Sequence, residues 1–363
     1  MRVLHVNAGL ERGGGLSHIV NLLRQAKRAG EDFELLTLAE GPVAEVARGA
    51  GIKVTVLGAQ SRYALGRLGQ LVRFINAGHY QLVHTHGARA NLFLALVHRR
   101  IAAHWVVTVH SNPLLDFKGR GLLGWLFTWL NLRALRQADS VLAVTNRFNQ
   151  LLVKQVGLPA ERVHTIYNGI FFHPSDQLPA KERHDYFNVI NVARTERVKG
   201  QELLLRALAG VKQPVIRLHV VGDGSELQHL RDFAQSLGLG PEVTFHGFLN
   251  QTQINHLYRR MDLAVLTSYS ESFPLVLLEA SDQLVPIMST AVGDIEQMIP
   301  APDHGFIAKV GDTASIAAQL RAAAETPRPE LAAMAARQKD YVMTHFSMAN
   351  QLAAILKVYH QYD

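Results

Sequence analysis

Strand-like and helix-like patterns alternate along nearly the whole of this 363-residue chain. Apolar or alternating runs at 2–7, 33–38, 54–57, 82–84, 106–109 and 141–144 read as strands. Between them lie stretches of helical period: Ile19, Val20, Leu22 and Leu23, then 43–50, 68–76 and 90–97. Successive strands are thus separated by enough chain for the crossover helix that parallel strands require. The pattern predicts an α/β architecture, a parallel sheet covered by helices on both faces. In open sheets of this kind ligands collect beyond the carboxyl ends of the strands. Function is therefore to be sought in the turns that follow them.

Periodicity lapses after Phe171, in a segment with Pro174, Ser175, Asp176, Pro179 and Lys181, and restarts at 187–192. This predicts a first domain over 1–172, a linker over 173–185 and a second domain over 186–347. The length suffices for two separate cores. Apolar residues at 48% and charged residues at 18% describe a globular chain rather than a disordered one. There is no cysteine, so neither a disulfide framework nor a thiolate metal site is available, which fits the cytosol. Met1 leads straight into a strand pattern, too short for a signal peptide, and no uncharged apolar run reaches the length of a membrane span. A cytoplasmic location is expected.

Charge is divided unevenly. Residues 1–180 hold 20 Lys and Arg against 10 Asp and Glu, a net +10, whereas residues 181–363 hold 17 against 20, a net −3. A basic first half suggests an anionic partner, with nucleic acid and an anionic membrane surface as candidates. Residues 117–136 sharpen the choice, with Trp125 and Trp129 among four basic residues and no acid. Such a helix either lies in a membrane interface or packs into the core. No nucleic-acid recognition module accompanies it, so nucleic acid is not expected as a partner.

The most informative turn is Ser270-Glu271-Ser272-Phe273-Pro274-Leu275-Val276-Leu277-Leu278-Glu279, which follows a buried-strand run at 263–266. Pro274 fits the first turn of a helix, where its missing N–H is not needed. The amides of that helix start and the positive end of its dipole attract an anion. Two carboxylates bracketing such a site suit a sugar nucleotide, with acids on hydroxyls and amides on phosphate. An ordinary buried strand followed by a capped helix is the alternative reading of the spacing.

Glu-x7-Glu with Phe-Pro after the first Glu resembles the signature of family-four retaining glycosyltransferases, enzymes of the GT-B fold that use nucleotide sugars. The resemblance implies two Rossmann-like domains facing a central cleft, with the terminal helix, 348–363, completing the first. It implies that Glu271 meets the donor sugar, Glu279 holds the ribose, and Ser272, Phe273, Pro274 and Leu275 present backbone to sugar and diphosphate. Further motifs match in order. The Gly13-Gly14-Gly15 run follows the first strand and precedes Ser17 and His18; in the family this loop, here Gly14 and Gly15, faces the donor. It is not a dinucleotide fingerprint, since its glycines are consecutive. His86 and His110 end adjacent strand runs and match acceptor-side positions. Asn168-Gly169 resembles the end of the family's last first-domain strand. Arg194 and Lys199 match the pair that grips the diphosphate, although Ala193 replaces the usual glycine. Gly222 belongs to a shared turn, and Phe248 lies near the base position. Val292 stands where a glycine is usual, as does Gln283-Leu284, which implies a differently shaped loop around the sugar.

The activity so implied is transfer of a sugar from a UDP- or GDP-sugar to a hydroxyl acceptor, a glycan or lipid-linked molecule of cell-envelope or polysaccharide synthesis. Arg194 and Lys199 can neutralise the departing diphosphate, and no Asp-x-Asp occurs, so neither a metal nor any cofactor beyond the nucleotide sugar is expected. Glu271 lacks the nearby second acid of a double displacement, which favours front-face transfer with His110 orienting or deprotonating the acceptor. Two alternatives share the fold: a sugar-nucleotide epimerase, and a non-catalytic subunit of another transferase. The basic first half adds the inner face of the cell membrane as a surface for peripheral attachment.

Overall fold

The computed structural model describes residues 1–11, 13–58, 65–182 and 184–363. They form two compact units, Met1–Phe171 with Met348–Asp363, and Phe172–Ser347.

The first unit contains β1 (Arg2–Asn7), α1 (Gly14–Arg28), β2 (Asp32–Thr37), α2 (Pro42–Gly49), β3 (Val54–Val56), α3 (Leu68–Ala77), β4 (Leu82–His86), α4 (Ala88–Ala95), β5 (His104–Val109), α5 (Gly121–Leu135), β6 (Ser140–Ala143), α6 (Asn146–Lys154) and β7 (Val163–Thr165). The second contains β8 (Phe187–Val192), α7 (Gln201–Ala209), β9 (Ile216–Val221), α8 (Leu227–Ser236), β10 (Val243–Gly247), α9 (Gln251–Tyr258), β11 (Leu263–Leu266), α10 (Leu275–Asp282), β12 (Ile287–Thr290), β13 (Phe306–Ala308), α11 (Thr313–Glu325) and α12 (Arg328–Phe346). The last helix, α13 (Met348–Tyr359), belongs to the first unit.

Every strand pairing is parallel, in the orders β3-β2-β1-β4-β5-β6-β7 and β10-β9-β8-β11-β12-β13. Strand order reverses between β1 and β4 in the first sheet and between β8 and β11 in the second. At each reversal the flanking crossovers leave to opposite sides, and a crevice opens at the strands' carboxyl ends. Apolar side chains cover both faces of the first sheet: Leu4, Val6 and Val83 join one cluster, while Val3, Leu82 and Val106 join another with α1 and α13.

The last strand of the first sheet is shorter than the apolar run through 163–170 suggests. After Thr165 the backbone is captured by α13: Gly169 N–H donates to Gln351 Oε1 at 2.9 Å, and Met348 N–H donates to Ile170 O at 2.9 Å. Tyr359 Oη lies 2.5 Å from His84 Nδ1. Met348, Leu352, Ile355 and Val358 pack in the cluster that includes Ile19, Leu22 and Leu23.

The helix carrying Glu279 is fixed at its other end by buried charge. Asp282 accepts from His173 Nδ1 (2.6 Å) and His173 N–H (2.8 Å), and Lys339 Nζ on α12 lies 3.4 Å from its carboxylate and 2.8 Å from its carbonyl oxygen. The Lys339 and Asp282 side chains are 1% and 4% exposed. Removing one member of such a pair leaves the other charged and desolvated. Lys339→Ala should lower the stability of the second unit by about 3 kcal/mol in chemical denaturation; an effect below about 0.5 kcal/mol would mean α10 is not anchored this way.

Candidate active site

In the second unit the site grows from the switch point between β8 and β11. β11 ends at Leu266, and the chain turns through Thr267–Pro274 before entering α10 at Leu275. Pro274 stands one residue ahead of the helix rather than within its first turn, with φ −76° and ψ 92°. Its carbonyl accepts from Leu277 N–H at 3.1 Å. Phe273 is buried against Phe346, ring centroids 5.1 Å apart, so this residue presents backbone rather than its ring.

Glu271 is held from two sides. Lys199 Nζ, in the turn after β8, donates to Glu271 Oε1 at 2.7 Å, and Ser268 Oγ donates to the same oxygen at 2.6 Å. Only 18% of the Lys199 side chain and 11% of the Glu271 side chain are exposed. Two donors on one oxygen leave the other to meet a ligand hydroxyl. The close approach of the two turns is a glycine effect: a Cβ on Gly200, at φ +64°, would lie 2.2 Å from Thr267 O.

Arg194 is placed differently. It follows β8 as Lys199 does, but its side chain is 71% exposed and its Nη1 pairs with Glu196 Oε1 at 2.6 Å. The structure therefore joins Lys199 to Glu271 and leaves Arg194 at the rim. An exposed pair of this kind is worth under about 1 kcal/mol, so a phosphate can redirect the guanidinium at little cost. Gly222 follows β9 at φ +133°, where a Cβ would stand 1.8 Å from Ala193 O, and Phe248 follows β10 and is 77% exposed. A Cβ on Gly293, at φ +59°, would meet Ser272 O at 2.4 Å. The neighbouring Val292 is 2% exposed and fits without a glycine's freedom, whereas Leu284 adopts φ +54°, a conformation glycine would reach with less strain.

Glu279 lies one turn into α10, beside Gln251, with Tyr258 nearby. Burial pushes its carboxyl from the ordinary 4.5 up to about 7, opposed by a hydrogen bond from Gln251.

The first unit brings together five histidines. His5 on β1, His84 and His86 on β4, His18 on α1 and His110 after β5 form one cluster, all buried except the half-buried His110. His5 Nδ1 lies 3.0 Å from His86 Nε2, and His86 Nδ1 lies 3.4 Å from His110 Nε2. The His18 and His110 rings meet edge to face at 4.5 Å. His84 is satisfied by Tyr359 and by Thr108 Oγ1 at 2.6 Å. Burial lowers all five: His5 to about 3, His110 to about 4, and the others well below the ordinary 6.5, where neighbouring histidines also contribute. The rings are neutral at pH 7. Of these, only His86 and His110 stand out in the sequence; β1–β4 register, pairing His5 with His84 and Asn7 with His86, supplies the rest.

The glycine turn also carries a residue that patterning overlooks. Glu11 Oε1 is 3.3 Å from where a Cβ on Gly87 would stand, Oε2 is buried without a partner, and burial raises its carboxyl. Gly13, at φ +62°, is required by the backbone; Gly14 opens α1, and a Cβ there would meet nothing within 4 Å.

Two family models match in sequence. Residues 13–169 match a glycosyl transferase 4-like domain and residues 173–340 match glycosyl transferases group 1. The chain belongs to the group 1 glycosyltransferases. It is 26% identical over 352 residues to D-inositol 3-phosphate glycosyltransferase 1 of Catenulispora acidiphila, covering 88% of this chain and 84% of that one. It is 29% identical over 313 residues to the Bacillus subtilis glycosyltransferase EpsF, covering 78% of each. Among solved structures, Anabaena HepE in complex with UDP superposes with a TM-score of 0.83 at 20% identity, over 99% of this chain and 100% of that one. The two-domain fold of this group 1 enzyme is GT-B.

The raised carboxyl of Glu279 sets a pH test. Its folded form holds a proton more tightly than the unfolded chain does, so its contribution to stability declines as pH rises from about 4.5 to about 7 and then levels off. Glu279→Gln should gain stability relative to wild type between pH 5 and pH 8. A difference in melting temperature independent of pH would contradict this account.

Proposed function

We propose that this group 1 enzyme transfers a sugar, with retention, from a UDP- or GDP-sugar to a hydroxyl of a glycan or lipid-linked acceptor in cell-envelope or polysaccharide synthesis. The observation that carries this reading is Glu271, held by Lys199 and Ser268 in the turn before α10. That arrangement supports a carboxylate on the donor sugar beside a cation for its diphosphate. HepE is bound to UDP in one solved structure and to UDP-glucose in another, which supports a uridine nucleotide as the first donor to try.

Each residue then has a physical task. Glu279 accepts from the ribose hydroxyls, Phe248 borders the base, and Gly14 and Gly15 leave the glycine turn open to close approach of its backbone by a phosphate. Backbone at Ser272, Phe273, Pro274 and Leu275 meets sugar and phosphate at the positive end of the α10 dipole. The bond from the sugar's anomeric carbon to the diphosphate oxygen breaks, and a bond to the acceptor oxygen forms on the same face. The acceptor proton passes to the departing phosphate oxygen. Lys199 and a reoriented Arg194 neutralise that phosphate, a role two side-chain cations can fill without a metal. His110 orients the acceptor hydroxyl, with His86 behind it.

Alanine at Glu271, Arg194 or Lys199 should each reduce turnover about 100-fold or more while the protein remains folded. Near-normal turnover in all three variants would defeat the proposal. Product analysis with nucleotide sugar alone separates transfer from epimerisation: an epimerised nucleotide sugar would favour the second reaction.

We further propose peripheral attachment to an anionic membrane through α5. One face packs inward, with Gly124, Asn131, Ala134 and Leu135 buried and Asn131 bonded to Asn91 on α4. The other exposes Leu122 (88%), Trp125 (68%), Leu123 (60%) and Trp129 (45%), flanked by exposed Lys118, Arg120, Arg133 and Arg136. A cavity of about 510 Å³ beside Trp129 is lined by Arg99, Arg133 and Arg136. No helix among the described residues is long and apolar enough to cross a membrane. Vesicles with anionic lipid should bind the protein, with affinity falling as salt rises. The double variant Leu122→Ser/Trp125→Ser should lose most of that binding; undiminished binding would place the contact elsewhere.

A further inference from the structure

The histidine cluster has a geometry that orientation of an acceptor does not require. One nitrogen each from His18, His86 and His110 lie within 4.8 Å of one another. His86 Nδ1 and His110 Nε2 are already 3.4 Å apart. Bonds of about 2.0–2.1 Å to a tetrahedral ion would set their nitrogens roughly 3.3–3.4 Å apart. His18 Nε2 is buried without a hydrogen-bond partner, which leaves a nitrogen to supply. We propose that His18, His86 and His110 form a three-nitrogen site for a late first-row divalent cation, with zinc as reference, and that filling it withdraws His110 from the transfer reaction.

Three features favour this over a purely structural cluster. The donors are imidazoles, which suit zinc, cobalt, nickel or copper and not magnesium or calcium. The rings are also held from behind. His86 Nε2 faces His5 Nδ1 at 3.0 Å, and the Asn168 side chain accepts a hydrogen bond from His18. Such outer contacts are what orient histidine ligands toward an ion. Three protein ligands leave a fourth position open, as in zinc sites that exchange water or substrate. Glu11, whose Oε1 stands 3.3 Å from where a Cβ on Gly87 (the residue after His86) would lie and whose Oε2 has no partner, can offset the ion's charge.

The inhibitory half of this inference rests on the reading of His110 as an acceptor-side residue; the binding half does not. The test is a titration of chelator-treated full-length protein with cobalt(II), followed by visible absorption. The expected result is one equivalent bound with the intense visible bands of a four-coordinate ion, displaced by zinc. His18→Asn and His110→Asn should each weaken binding at least tenfold, whereas the surface variant His345→Asn should not. A cobalt spectrum that stays six-coordinate, or one unchanged in both triad variants, overturns the site. Turnover is then measured across the same zinc titration. Loss of turnover that follows occupancy supports the inhibitory role, and full turnover at saturation overturns it. A protein without transferase turnover under any condition would defeat the proposed function, while the cobalt spectrum still decides the site.

Discussion

Parallel strand pairing is the constraint from which the rest of this molecule follows. Because each strand must be rejoined from the same end, every connection crosses one face of a sheet, and both faces are buried. The carboxyl ends of the strands are left as the places where loops are free to carry polar groups. In each sheet the order reverses once, between β1 and β4 and between β8 and β11. The chemically distinctive side chains gather at those two points. Lys199 and Glu271 come from the turns after β8 and β11, and His86 ends β4 beside the glycine turn that follows β1.

The two switch points handle polarity in opposite ways. At β8/β11 the groups are charged: Glu271 takes two donors on one oxygen, while Gly200 and Gly293 let neighbouring backbone close against Thr267 and Ser272 of its turn. Arg194 is the exception, spending its charge on an exposed partner that costs little to leave. The acid and the lysine are thus held in place, whereas the exposed arginine is free to take another partner. Asp282, Lys339 and His173 anchor the far end of α10 and so fix the helix that carries Glu279.

Sequence patterning located the strand ends of both halves because apolar runs and turn residues are local signals. Glu271 and Lys199, which it singled out, lie in short turns that the structure brings together, and Glu279 lies in the helix that follows. Other features were set by contacts between distant residues and left no local trace. The shortening of β7 depends on Gln351, almost two hundred residues away, capturing Gly169. The direction of Arg194 is decided by Glu196, which nothing in the spacing favours over a ligand. The tryptophan-bearing stretch had two readings, core and membrane interface, and α5 divides between a buried face and an exposed one. A helix with no apolar moment to speak of still acquires two faces once α4 occupies one of them.

The histidine cluster is held together largely by register and by turns distant in sequence. His5, His18, His84, His86 and His110 are scattered over more than one hundred residues, with only His84-x-His86 close together in the chain. β1 and β4 pair so that His5 faces His84, β4 and β5 pair so that His86 faces Thr108, and α1 and the β5 turn add His18 and His110. Burying five rings as neutral groups avoids the cost of desolvating charge, yet it leaves His5 Nε2 and His18 Nε2 without partners. Each unpaired polar nitrogen costs about 1–3 kcal/mol. A stable core does not need such a penalty, since a leucine or phenylalanine in these places would add apolar burial instead. The unpaired His18 Nε2 is the nitrogen that the proposed coordination site would engage, whereas the second unit's switch point holds the charged pair of Lys199 and Glu271.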